Sequence, residues 1–123
     1  MHNTRPKNLN LFTIQFPLPA IISILHRLSG VFLFLLIPIA LWLLAFSLTE
    51  SGFDALQEWM DNFYTKIILW VLLAPFCFHL IAGCRHLLMD IHLGTSLKGG
   101  KLSSLLTLII FFVFVILVGI WLW

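Results

Sequence analysis

"SILHRLSGVFLFLLIPIALWLLAFSL", Ser23 to Leu48, joins a polar cluster to an almost unbroken apolar run. From Val31 to Phe46 no side chain is polar. About 20 apolar residues in helical form cross the hydrocarbon core of a bilayer, because only a helix or a closed barrel satisfies its own backbone there. Directly before the run stand Ser23, His26 and Arg27, at i, i+3 and i+4, hence on one helix face. A charge is costly inside the membrane, so that face belongs at the mouth of the span.

The rest of the chain has the same character. Of 123 residues, 61% are hydrophobic and only 10% charged, with a mean hydropathy of +1.07. A water-soluble domain carries about 25% charged residues, so a soluble enzyme is excluded. Two further stretches are long and apolar enough to span. The fold expected is an all-α membrane protein, one anchor domain over residues 1–123. Its three transmembrane helices run from about Ser29 to Leu48, Ile67 to Cys84 and Leu105 to Trp123. Pro17 and Pro19 lie where proline can open a helix. Pro38 and Pro75 lie inside spans, where proline removes a backbone donor and is expected to kink the helix.

Basic residues orient the chain. Arg5, Lys7 and Arg27 precede the first span, Arg85, Lys98 and Lys101 follow the second, and only Lys66 lies across the membrane from them. Glu50, Asp54, Glu58 and Asp61 share the side of Lys66. The positive-inside rule puts the N-terminus, with segment 1–22, in the cytoplasm and the C-terminus on the outer, periplasmic side. The N-terminus is too polar for a signal peptide, which favours a bacterial inner membrane. The formal charge of +2 gives no sign of nucleic-acid binding; the surrounding partner is lipid.

"GFDALQEWMDNFY", Gly52 to Tyr64, reads as a short amphipathic helix on the outer surface. "IHLGTSLKGGKLSS", Ile91 to Ser104, reads as a plain cytoplasmic connection. Cys77 and Cys84, about 10 Å apart on one helix, cannot form a disulfide.

His79 lies about 9 Å inside the second span, counted from Arg85 at its edge. A histidine at that depth has three readings: a core side chain bonded to a neighbouring helix, an axial ligand of haem iron, or a proton relay. Gly83, one turn on, leaves room for a flat macrocycle. Arg85 and His86 at the inner interface suit either haem propionates or lipid headgroups. Ser23 and Arg27 offer a hydroxyl and a guanidinium to an acceptor such as a quinone carbonyl or a carboxylate; an ordinary basic anchor would need Arg27 alone.

"RPKNLNL" (Arg5 to Leu11), "SILHRLSG" (Ser23 to Gly30) and "HLIAGCRHLLMD" (His79 to Asp90) together resemble the cytochrome b subunit of succinate dehydrogenase, a membrane anchor of respiratory complex II. The resemblance covers the whole chain, and the paired S-x-x-H-R-x-S-G and H-x-x-x-G-x-R-H blocks are its specific part. Phe78, where some members carry tyrosine, and His92, where a small residue is usual, depart from the pattern.

The resemblance implies one haem b shared with a second, similar anchor subunit. His79 would be this chain's axial ligand to the iron, and the partner would supply the other. Ser23 and Arg27 would line the quinone pocket, with ubiquinone as the implied substrate. His26, Arg27, Arg85 and His86 would lie near the propionates. A flavoprotein and an iron–sulfur protein would deliver electrons from succinate, since this chain is not catalytic alone. Two other functions fit the same features: the anchor of a quinol:fumarate reductase, and a non-redox assembly or transport subunit.

Overall fold

The computed structural model describes residues 16–123, so the Arg5 to Leu11 motif and most of the expected cytoplasmic segment 1–22 lie outside the described residues. Four helices follow one another: α1 Leu18–Ser47, α2 Glu50–Asp61, α3 Phe63–Asp90 and α4 Leu97–Leu122. α1, α3 and α4 are each long and apolar enough to cross a membrane. This is the three-span helical fold that the hydropathy predicts.

The helices outrun the expected spans. α1 has 30 residues, about 45 Å at 1.5 Å per residue, against a hydrocarbon core of about 30 Å. It begins at Leu18, directly after Pro17, with Pro19 in the first turn. Its extra turns carry Ser23, His26 and Arg27 on one helix face, as their spacing predicts. Both interior prolines, Pro38 and Pro75, lie within continuous helices.

At the first connection, Thr49 caps α2 by accepting from the Gly52 amide at 3.1 Å. A Cβ on Gly52 would collide with the Phe46 carbonyl oxygen, so this tight corner requires glycine. The amphipathic reading of α2 holds, and Trp59 stacks on Phe46 with ring centres 5.9 Å apart. Phe53 and Met60 remain exposed, as an interfacial helix would leave them.

The second connection is shorter than expected. Only residues 91–96 leave the helix; Ser96 caps α4 by accepting from the Gly99 amide at 3.0 Å, and the helix runs through Gly99 and Gly100. His92 and Gly94, both with positive φ, turn the chain.

Little of the bundle is enclosed. Ile22, Phe78 and Ala82 form the core, with Leu108 and Phe111 packed against it. Phe78 meets Phe111 edge-on at 5.4 Å. Large apolar side chains along all three long helices are exposed, Phe34 at 69% and Ile120 at 69% among them. In water that surface would drive aggregation; in a bilayer it is the lipid or partner face. At the far end the Trp70 indole donates to the Val115 carbonyl at 2.8 Å, over Gly119. Cys77 and Cys84 are both free thiols.

Candidate functional site

The facing sides of α1 and α3 bring three histidines together. Ser23, His26, Ser29 and Gly30 line one side of α1, while His79, Gly83 and His86 recur at i, i+4 and i+7 along α3. The His26 and His79 rings stack with centres 4.2 Å apart and planes at 12°. His86 approaches His26 at 5.0 Å, tilted by 43°. Ser23 Oγ lies 3.5 Å from His86 Nε2, a long contact by the usual limits of hydrogen-bond geometry.

The hydrogen bonds around His79 assign its tautomer. Its Nδ1 lies 3.0 Å from Ser29 Oγ and 3.1 Å from the His26 carbonyl oxygen. The Ser29 hydroxyl donates its only hydrogen to that same carbonyl at 2.8 Å, which leaves its lone pairs toward the ring. A carbonyl can only accept. Nδ1 therefore faces two acceptors and holds the proton, and Nε2 keeps its lone pair free for a metal. A histidine whose second nitrogen is fixed in this way has the arrangement expected of a metal ligand.

Steric detail supports the same side of the bundle. A Cβ on Gly30 would sit 3.0 Å from His79 Cε1, so glycine lets the imidazole lie against α1. Beside it a groove of about 620 Å³ runs between α1 and α3, lined by Gly30, Leu33, Phe34, Leu72, Phe76 and His79. An imidazole at the end of an apolar groove, with Arg27 one turn before Gly30 at the rim, fits a haem: a donor for the iron, an apolar wall for the macrocycle and a cation toward its carboxylates. Gly83 serves differently from the expectation. The space its missing side chain leaves is taken by the His26 ring, whose Nε2 would lie 3.3 Å from an added Cβ.

Of the residues singled out in the sequence, the structure gathers Ser23, His26, His79 and His86. Arg27 is exposed at the rim, one turn from Ser23. Arg85 stands apart, turned toward α4, where its Nε donates to Ser103 Oγ at 3.1 Å. Ser29 and Gly30 were not predicted to touch His79. Their signal was present in the spacing, at i+3 and i+4 from His26, but the decisive acceptor is a backbone carbonyl.

Fold and site together define a three-span membrane subunit with a histidine group near one face. A sequence model described as "Succinate dehydrogenase/Fumarate reductase transmembrane subunit" matches residues 1–118. The chain belongs to that family. It is 38% identical over 125 residues to the "Succinate dehydrogenase cytochrome b556 subunit" of Coxiella burnetii (strain RSA 493 / Nine Mile phase I), covering 100% of both chains. The proteins of the same name from Paracoccus denitrificans (33% identity, 89% of this chain and 94% of the relative) and Rickettsia prowazekii (strain Madrid E) (32%, 85% and 82%) are also similar.

Proposed function

We propose that this chain is a membrane-anchor subunit of a succinate:quinone oxidoreductase of a bacterial inner membrane, holding haem b and forming part of the quinone-reduction site. The reading rests above all on His79, whose Nδ1 is committed to two acceptors and whose Nε2 is left with its lone pair. His79 would hold the iron on this side, and a histidine of a second anchor subunit would hold it on the other. His26, Arg27 and His86 would stand toward the propionates. When bound, haem b supplies a one-electron store between the two subunits.

Quinone would bind at the edge of the histidine group nearest the cytoplasm. The Arg27 guanidinium, exposed and permanently charged, would donate to one carbonyl oxygen and favour the negative charge that develops as electrons arrive. The Ser23 hydroxyl would donate a hydrogen bond to the substrate from the same helix face, and the protons that complete the quinol would come from the cytoplasmic water nearby. Electrons would come from a flavoprotein and an iron–sulfur subunit docked on the cytoplasmic side. The family description covers both directions of the reaction, while the similar proteins above are named for succinate oxidation, which favours quinone reduction here.

The Nδ1 assignment has its own test. Acceptors on the distal nitrogen raise the basicity of a ligating imidazole and so favour the oxidised iron. Ser29→Ala removes one of the two. In the assembled complex the haem is expected to remain bound, with its midpoint potential raised by up to about 60 mV, the equivalent of a tenfold change for one electron. A spectroelectrochemical titration measures it, and an unchanged or lowered potential would contradict the assignment.

A further inference from the structure

Arg85 is only 5% exposed, yet only one of its five guanidinium N–H donors is used. Nε donates to Ser103 Oγ, while Nη1 and Nη2 are enclosed and have no hydrogen-bond partner among the described residues. Arginine stays protonated, and a buried charge requires acceptors. Beside it runs a groove of about 400 Å³ between α3 and α4, whose walls are Leu80, Ile81, Leu106, Ile110 and Phe114, with Arg85 and Ser103 at one end. We propose that this groove binds one anionic phospholipid, its phosphate held by Arg85 and an acyl chain lying along the groove toward Phe114.

Charge, depth and length favour a lipid. A guanidinium matches the paired oxygens of a phosphodiester, and basic pockets between membrane helices are the usual seats of acidic headgroups. Arg85 lies five residues before the end of α3 and Ser103 six after the start of α4. That is within about 9 Å of the basic end of the bundle, the end that also bears Lys98 and Lys101. From Ser103 to Phe114 is eleven residues, or about 16 Å. Half of a hydrocarbon core of about 30 Å is the depth of one leaflet, so the groove is one acyl layer deep. A partner helix that neutralised Arg85 would have to bring its own carboxylate into the membrane, at considerable cost. A phospholipid already holds its anion at this level. The site is separate from the histidine group: Arg85 is six residues past His79, about 240° farther round α3, and the proposal does not depend on the cofactor reading.

The test uses the complex purified with its natural partner subunits. Native mass spectrometry counts phospholipids retained in mild detergent, and the delipidated complex is titrated with phosphatidylglycerol, phosphatidylcholine or inorganic phosphate. The wild type is expected to retain one more phospholipid per chain than Arg85→Gln and to bind phosphatidylglycerol at least tenfold more tightly than that variant. Arg85→Lys should fall between them. Leu106→Trp, which fills the groove and leaves Arg85 intact, should lose the lipid too, and it decides the matter if Arg85→Gln does not assemble. Equal lipid retention in wild type and both variants would overturn the proposal. So would protection by inorganic phosphate equal to that by phosphatidylglycerol, which would make the site one for a free anion. Loss of a partner subunit from Arg85→Gln with lipid retention unchanged would instead assign Arg85 to a partner carboxylate.

Discussion

His79→Ala is expected to abolish the low-spin b-type spectrum of the assembled complex. His79 is the histidine of the α1–α3 group whose Nδ1 faces two acceptors, Ser29 Oγ and the His26 carbonyl. His26, stacked 4.2 Å away, cannot take over as ligand without leaving that stack and the space above Gly83. A haem held through His79 would lose that donor, and its iron would change spin state or be lost. The helix itself should survive. His79 is half-buried, and its removal leaves Phe78 and Ala82, the α3 members of the core, in place. Visible difference spectra and electron paramagnetic resonance of wild type and variant measure the effect. A low-spin spectrum that persists unaltered in His79→Ala would remove the residue from the ligand set.

Arg27→Ala is expected to lower quinone reduction by about 10²- to 10³-fold, the usual loss when one donor to a developing oxyanion is removed. Succinate oxidation by a soluble artificial acceptor should continue at the wild-type rate, because on the proposed path those electrons would leave before reaching this chain. The exposure of Arg27 makes the substitution safe for the fold: its side chain is not part of the enclosed core. Arg27→Lys keeps the charge but loses the planar fork, and should recover only part of the activity. Steady-state assays with a quinone analogue and with a dye, on complexes of equal flavin content, separate the two reactions. Equal loss of both activities, or loss of neither, would contradict a role for Arg27 at the quinone.

Hydropathy made the three spans legible, because an apolar run of about 20 residues is too long for a barrel strand and satisfies its backbone in hydrocarbon as a helix. It did not show where the helices end. α1 runs from Leu18, where Pro17 and Pro19 open it, well beyond the apolar span, since the polar face of Ser23, His26 and Arg27 lowers hydropathy without interrupting helical hydrogen bonding. α4 starts at Leu97 because the Ser96 cap offsets a glycine pair that reads locally as loop. The histidine group was visible in the spacings of two motifs. Its finer logic was not, because the groups that fix His79 are a backbone carbonyl and a serine whose partner lies 50 positions away. Arg85 illustrates the opposite limit. Its place at the membrane edge was readable, but a linear motif does not display which side of α3 it occupies, and the side chain joins Ser103 of α4 rather than the histidines.

The measurement that bears most directly on the whole account is a dithionite-reduced minus oxidised visible spectrum of the wild-type complex, purified with its partners and assayed for flavin. A sharp b-type signal is expected at one haem for each copy of this chain, in a preparation that also contains flavin. An intact, flavin-containing complex with no haem absorption would contradict it, and would leave the His26–His79–His86 group as a hydrogen-bonded helix contact alone.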